Sequence, residues 1–153
     1  MSSENEVDQD PVNPIESYGG PISYPCNRYL SKLFDGPVRV EEKLDGSQLS
    51  FSLIDGELVF KSRRQFIKPE SAPASFKGAL EYISERKDRL PEGVVFRGEV
   101  INSFRHNKIT YGRIPKGKFV LFDLEKDGAS LGGEELALAA EKLELEIPKN
   151  MVS

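Results

Sequence analysis

The sequence predicts an α+β fold in which an antiparallel, β-rich core is flanked by helices near residues 75–89 and 133–145. Short runs of alternating apolar and polar residues, separated by Asp-Gly pairs, are typical of antiparallel hairpins. Two longer segments carry apolar residues at helical spacing. The length of 153 residues suits one domain with a sizeable core.

The N-terminal segment is acidic and polar. Its first sixteen residues include five acids and no base, so we expect a disordered acidic tail over 1–14 and a domain over 15–153. We find neither a signal peptide nor an apolar run long enough for a membrane helix, and expect no membrane partner. The single Cys26 cannot form an intrachain disulfide, which favours a reducing, cytoplasmic or other intracellular compartment.

Three alternating runs follow, separated by Asp45-Gly46 and Asp55-Gly56. We expect three consecutive strands, of which the first begins near Val38 and ends at Lys43. At the end of a strand a rigid scaffold can aim a side chain into a cleft. A nucleophilic lysine needs such a position, because its amine must be held still and partly deprotonated.

The second half of the chain alternates helices with apolar strands. A helix is expected over 75–89, stopped by Pro91-Glu92-Gly93. Residues 94–101 are apolar enough for a central strand, and 118–124 form another. The last helix is expected over 133–145.

Charged residues are placed unevenly. Glu99 and Asp123 each interrupt an apolar strand, where a charge needs a partner or a ligand. Residues 61–68 carry four bases and no acid, and 97–118 carry six bases against Glu99 alone. These local patches allow binding of a polyanion despite the net charge of −4, although they could equally be solvated faces.

Four short motifs occur in a fixed order. They are Lys43-Leu44-Asp45-Gly46, Ser62-Arg63, Gly98-Glu99 and Phe122-Asp123. In this order they resemble the first motifs of the covalent nucleotidyltransferases, the superfamily of ATP-dependent ligases and mRNA capping enzymes. The linker His106-Asn107-Lys108-Ile109-Thr110-Tyr111, followed by Arg113-Ile114-Pro115, most resembles the RNA ligase branch, particularly the phage-type enzymes. The similarity runs over about residues 36–126.

The resemblance implies an antiparallel β-rich nucleotidyltransferase core, an ATP-grasp-like ligase fold, and a role for each motif. Lys43 would attack the α-phosphate of ATP, release pyrophosphate and hold AMP. Arg63 would contact ribose or phosphate, and Glu99 the ribose hydroxyls or a metal-bound water. Phe122 would stack on adenine. The residues that would bind the nucleotide are Glu42, Asp45, Gly46, Arg63, Glu99 and Phe122.

The resemblance also implies a metal and a nucleic acid. Mg²⁺ or Mn²⁺ would be held by Glu99 and Asp123, because phosphoryl transfer depends on charge neutralisation. RNA ends, nicked or single-stranded, would be sealed after AMP moves to a 5′-phosphate. The residues expected to contact RNA are Arg64, Arg105, Lys108 and Arg113.

Other interpretations remain open from the sequence. A later Glu-Gly strand and a Lys-x-Lys motif of the family are not found, which predicts a domain truncated after the aromatic motif and a missing C-terminal half or a partner protein. The alternatives are an ATP-dependent DNA ligase, a capping guanylyltransferase fragment, or a non-catalytic nucleotide- or RNA-binding module. Phe122 could be a core residue, Asp123 could pair with a buried arginine, and His106 is expected to be a hydrogen-bonding loop residue.

Overall fold

A computed structural model describes residues 15–16, 18, 35–37 and 40–149. The tail predicted over 1–14, Cys26 and the start of the first predicted strand at Val38 lie outside the described residues.

The described chain forms one six-stranded sheet with two α-helices. The strands are β1 (Ser47–Ile54), β2 (Glu57–Ser62), β3 (Phe66–Ile67), β4 (Val95–Val100), β5 (Phe119–Lys126) and β6 (Ala129–Ser130). The helices are α1 (Ala74–Ser84) and α2 (Gly133–Leu143). The strand order is β3-β2-β1-β4-β5-β6, and all neighbouring pairs are antiparallel. The predicted α+β fold is confirmed.

Two Asp-Gly turns make the hairpins. Asp55 and Gly56 join β1 to β2 with φ angles of 50° and 78°, and Asp127 and Gly128 join β5 to β6 with φ angles of 52° and 80°. Positive φ at both central residues is the geometry of a type I′ turn, whose twist matches that of the flanking strands.

Both helices end earlier than the sequence predicts. After α1, the Arg86 guanidinium donates to the carbonyl of Tyr82 at 3.1 Å, while the Arg86 N–H bonds the carbonyl of Ile83 at 3.0 Å. A side chain thus satisfies the carbonyl that a continuing helix would have used, and Lys87–Arg89 forms a separate 3₁₀ turn. After α2, Glu144 has a left-handed φ of 53°.

The two faces of the sheet differ in polarity. On one face Phe51 stacks on Phe96 with ring centroids 4.9 Å apart, and this face packs against both helices. The buried residues of this core include Leu49, Phe51, Phe60, Leu80, Ile83, Phe96, Phe119, Leu121, Leu136, Ala140 and Leu143. The alternate residues of β1 and β4, among them Gln48 and Glu99, face the opposite side.

Two bases that the sequence places in charged surface patches are buried instead. Lys61 is 5% exposed, and its amine donates to the carbonyl of Ile15 at 2.7 Å. Arg97 is 1% exposed and bonds Glu125 at 2.9 Å and Ser50 at 3.3 Å. The expectation of solvent-facing charge was wrong for both, because the sheet turns them to a face where Lys61 contacts Ile15 and Arg97 lies over the Tyr18 ring.

We predict that Phe51→Ala lowers the free energy of unfolding by about 3–5 kcal/mol, the usual result of removing a buried aromatic ring. Phe51 is fully buried and also contacts the rings of Phe60 and Phe119. Urea unfolding followed by circular dichroism measures the loss. Leu138→Ala is the control, because Leu138 is 67% exposed. Equal stability of the two variants would contradict this account of the core.

Candidate active site

Lys43 lies in an irregular segment four positions before β1 begins. The prediction that it ends a strand was wrong for the described residues, since 42–45 have no strand structure. The side chain is exposed. Among the described residues its amine has no hydrogen-bond or ion-pair partner.

Lys43 lines a cleft of about 690 Å³, a size that suits a small-molecule ligand. The lining residues are Tyr18, Glu41, Glu42, Lys43, Leu44, Gln48, Arg63, Glu99, Phe122 and Pro148. The structure therefore brings together Glu42, Lys43, Arg63, Glu99 and Phe122, which the sequence assigned to one site.

A β-bulge turns Phe122 toward this cleft. Leu121 lies opposite Gly98, and Asp123 lies opposite Arg97, so Phe122 is an extra residue in β5. Bulges re-aim side chains in this way next to binding sites. Phe122 is half-buried, and it meets Tyr18 edge-on with the ring centroids 5.5 Å apart.

The lysine motif is held against β4 at Gly46. Its N–H donates to the Glu99 carboxylate at 3.2 Å. A Cβ at this position would collide with the carbonyl oxygen of Val100, so only glycine allows so close an approach. Gly98 is required for a similar reason, because a Cβ there would meet the Phe119 ring and the Val120 carbonyl.

Burial raises the pKa of the Glu99 carboxyl above its usual value of 4.5. The nearby charge of Asp45 raises this pKa further, whereas the Gly46 hydrogen bond and the cations Arg63 and Lys43 lower it. Glu99 is thus a carboxylate short of positive partners. A cationic or hydroxyl-bearing ligand would stabilise its charged form.

Asp45 fastens the motif to the loop that follows β4. Its carboxylate accepts the backbone N–H groups of Lys108 at 2.6 Å and Ile109 at 2.7 Å. These two bonds, that of Ile109 first, lower the pKa of Asp45. The N–H of Asp45 donates to the Tyr111 hydroxyl at 2.7 Å. The loop therefore binds both the backbone and the side chain of Asp45.

His106 adds a further tie, as a hydrogen-bonding loop residue. Its Nδ1 accepts the N–H of Asn102 at 3.2 Å, so the ring proton lies on Nε2. This nitrogen is 2.8 Å from the Ser47 hydroxyl and donates to it. The Asn107 side chain also donates to the carbonyl of Gly46 at 2.8 Å. The loop therefore holds residues 45–47 at several points.

The segment after α2 supports the other side of the motif. The N–H of Glu42 donates to the carbonyl of Lys149 at 3.1 Å, and the Lys149 N–H returns a bond to the Glu42 carboxylate at 3.2 Å. Earlier in the same segment, the carbonyl of Glu146 accepts a hydrogen bond from the N–H of Leu121 in β5. The Glu146 carboxylate also accepts a bidentate pair of hydrogen bonds from the Arg113 guanidinium.

The other predicted site residues are spread around the cleft. Arg64 lines an adjoining cavity of about 490 Å³ that shares Gln48, Arg63 and Glu99 with the cleft. Arg105 and Lys108 are exposed on the loop after β4. Arg113 is engaged by Glu146, so its charge is neutralised.

Asp123 stands apart from the cleft lining. It accepts a bond from the Ser130 hydroxyl, and Arg97, which lies opposite, bonds Glu125 instead. Within the described part of the chain, no cluster of three or more His, Cys, Asp or Glu side chains could hold a metal by itself. Mg²⁺ commonly needs only one or two carboxylates besides substrate phosphates, and Glu99 in the cleft meets that requirement.

Sequence reasoning missed Tyr18, Gln48 and the tie between Tyr111 and Asp45. Gln48 could have been found, because it alternates with apolar residues in β1 and therefore faces the side of the sheet opposite the core. Tyr18 and Tyr111 carry no local signal, since both reach the site from distant segments.

The six-stranded antiparallel sheet bears, on its polar side, a cleft lined by a lysine, an arginine, a carboxylate and an aromatic ring, an arrangement that fits a ligase domain. A family model for RNA ligase matches residues 36–152, and the chain belongs to the RNA ligase family. A search of curated proteins found no match. In the part of the chain that the structure describes, no helix is long and apolar enough to cross a membrane.

We predict that Glu99→Gln stabilises the protein at pH 7 while damaging its activity. A raised folded-state pKa means that the ionised carboxylate opposes folding. This penalty is absent below the usual pKa of 4.5, develops as pH rises through the raised pKa, and is complete above it. The amide removes the charge and keeps an acceptor for Gly46.

Urea unfolding at pH 7 and near pH 4 tests this prediction. The stabilisation should be present at pH 7 and should shrink on acidification. Glu57→Gln, at an exposed carboxylate on β2, is the control. A gain that is the same at both pH values would show that the charge of Glu99 is not its cause.

Proposed function

We propose that this protein is an RNA ligase-type adenylyltransferase. It takes AMP from ATP onto Lys43, transfers AMP to the 5′-phosphate of an RNA end, and joins that end to a 3′-hydroxyl. The observation that supports this most strongly is the single cleft in which an unpaired Lys43 and an exposed Arg63 face Glu99 and Phe122. Membership of the RNA ligase family supports the assignment of a ligase reaction to this cleft.

The first step is nucleophilic attack by the Lys43 amine on the α-phosphorus of ATP. A P–N bond forms, the bond to the leaving pyrophosphate breaks, and the amine loses a proton. A free lysine is almost fully protonated at neutral pH. The amine must therefore give up a proton before it can attack.

The other cleft residues position the nucleotide. Arg63 has no ion-pair partner among the described residues, so it can bind a phosphate oxygen or the ribose. Phe122 would offer an aromatic face for the adenine, and the backbone beside Glu42 would bond the edge of the base. Asp45 and Gly46 act through the backbone that they hold in place.

Mg²⁺ or Mn²⁺ would neutralise charge that develops on the phosphates. Glu99 is the side chain in the cleft that fits this role, directly or through a bound water. Asp123 would need to leave Ser130 to join it.

The second substrate is an RNA end. Arg64 lines the adjoining cavity, beside Arg63, and can contact a 5′-phosphate that approaches from that side. In the second step an oxygen of this phosphate bonds the phosphorus of AMP, the P–N bond breaks and the lysine amine is released. In the final step the 3′-hydroxyl oxygen attacks the 5′-phosphorus and loses its proton to solvent, and AMP leaves with the bonding electrons.

A non-catalytic nucleotide- or RNA-binding module is the second candidate. Only two cations, Lys43 and Arg63, are among the described residues that line the cleft, whereas a triphosphate carries more charge than two cations neutralise. Loss of one preorganised contact of this kind lowers a rate on the order of 10²–10³-fold. This candidate predicts binding of nucleotide or RNA without a covalent adduct.

We predict that the protein forms a covalent adduct with α-labelled ATP in the presence of Mg²⁺, and that Lys43→Ala abolishes it. Protein freshly purified and checked for AMP already bound is analysed by denaturing gel and mass spectrometry. Lys126→Ala, at the opposite end of the sheet, should label normally. Absence of label on folded wild-type protein would favour the non-catalytic module. GTP in place of ATP, and nicked DNA in place of nicked RNA, test the capping and DNA ligase alternatives.

We also predict that Phe122→Ala raises the KM for ATP, because stacking of an aromatic side chain on a base contributes roughly 1–3 kcal/mol. Phe122→Tyr should retain the stacking, and Phe122→Leu should retain only apolar volume. A core role for Phe122 predicts instead that the leucine variant binds ATP normally and that the alanine variant is chiefly unstable. KM for adduct formation and urea stability, measured on the same three variants, separate the two roles.

A further inference from the structure

The loop over Asn102–Tyr111 has two sides with different chemistry. Its inner side is occupied by the bonds to Asp45, Gly46 and Ser47 described above. The loop is also closed on itself, because Arg105 and Thr110 form an antiparallel bridge and the Tyr111 N–H donates to the carbonyl of Phe104 at 2.6 Å. It is therefore a short hairpin fixed to the lysine motif.

Four large apolar or basic side chains of the loop, here called its outer side, are exposed instead: Phe104, Arg105, Lys108 and Ile109. Phe104 is 55% exposed and Ile109 is 48% exposed. Arg105 and Lys108 are exposed as well, and neither side chain has an ion-pair partner among the described residues. A single exposed apolar residue needs no explanation. Here, however, an exposed aromatic residue directly precedes the unpaired Arg105 on a backbone that is fixed by hydrogen bonds.

The charge of this loop favours a polyanion. Residues 102–111 carry two bases, Arg105 and Lys108, and no acid. Because Glu146 neutralises Arg113, these two are the cations that the loop can offer. Cations next to an exposed aromatic ring are the combination that binds single-stranded nucleic acid, with the charges on phosphates and the ring stacked on an unpaired base.

We propose that the 102–111 loop is a docking site for the single-stranded RNA next to the end being joined. Phe104 stacks on one unpaired base, and Arg105 and Lys108 contact the flanking phosphates. This inference rests on the proposed function for its choice of RNA as the partner. The site lies outside the nucleotide cleft, to which none of these three side chains contributes.

The position of the loop explains how RNA bound there would be placed relative to Lys43. The bonds from Asp45 to the backbone of Lys108 and Ile109 join the RNA-facing hairpin directly to the motif that carries Lys43. An RNA strand held by the outer side is thereby kept at a fixed distance from the reacting lysine. Positioning of this kind lowers the entropy that the joining reaction must lose.

Fluorescence anisotropy with a labelled, 5′-phosphorylated single-stranded RNA of about twelve nucleotides tests the proposal without ATP. Phe104→Ala should weaken binding about fivefold or more, and Phe104→Tyr should bind like the wild type, because it keeps the ring. Leu138→Ala, another exposed apolar residue, is the matched control. Duplex RNA of the same length should bind more weakly and respond little to Phe104→Ala.

The charge contribution is tested by its salt dependence. Combined Arg105→Gln and Lys108→Gln should reduce the slope of log K against log salt by about 1.4, since each phosphate contact on a single strand contributes about 0.7. Lys126→Gln, at the far end of the sheet, should leave the slope unchanged. Equal RNA affinity for wild type, Phe104→Ala and the double variant would overturn the proposal, as would a wild type that does not bind RNA.

Adduct formation with labelled ATP distinguishes this inference from the proposed function. Phe104→Ala should label at the wild-type rate, because its side chain is outside the cleft. RNA binding that depends on Phe104 in a protein that forms no adduct would support the docking site and contradict the adenylyltransferase. A rise in the KM for ATP in the double variant, with RNA affinity unchanged, would assign the two cations to the nucleotide and overturn the docking site.

Discussion

The close approach of Gly46 to β4 is the constraint on which the site depends. Its N–H donates to Glu99, and its missing side chain leaves room for the Val100 carbonyl. This contact fixes the position of Lys43 relative to the carboxylate and, through the β4–β5 pairing, relative to Phe122. A larger residue at Gly46 would separate the lysine motif from the strand that carries its partners. Gly46 therefore contributes to the cleft through its backbone alone, because it allows this close approach.

The same contact explains why the loop after β4 matters. The chain leaves β4 at Val100 and returns as a hairpin whose backbone and side chains hold Asp45, Gly46 and Ser47. Two physical demands are met at once. Backbone donors at the hairpin find an acceptor in Asp45, and the segment before β1, which has no strand structure over 42–45, is held in place. The same network of hydrogen bonds therefore holds the cleft residues and stabilises the local structure, while the outer side of the hairpin remains exposed.

The site also shows how a polar sheet face accommodates charge. Arg97 and Lys61 are buried but hydrogen-bonded, as buried charges must be. Glu99 is the less satisfied charge, with a raised pKa, and it is the one that faces the cleft. Groups whose environment disfavours their charge are common where a ligand will complete the environment. Arg97 and Glu99 lie two positions apart on β4. The charge of Arg97 is satisfied by Glu125 and Ser50, whereas Glu99 lines the cleft.

The sequence by itself determined the hairpin at Asp55-Gly56, the central strand and the order of the four motifs. Asp-Gly turns and alternation are local properties, and Lys43, Arg63, Glu99 and Phe122 could be named from short motifs. Only the tertiary structure decided that Arg113 pairs with Glu146, that Lys61 and Arg97 are buried, and that Tyr18 and Tyr111 reach the site. These outcomes depend on contacts between residues far apart in the chain, and on a one-residue bulge that re-aims Phe122. Neither composition nor periodicity encodes such contacts, because each is fixed by how the packed strands place one segment against another.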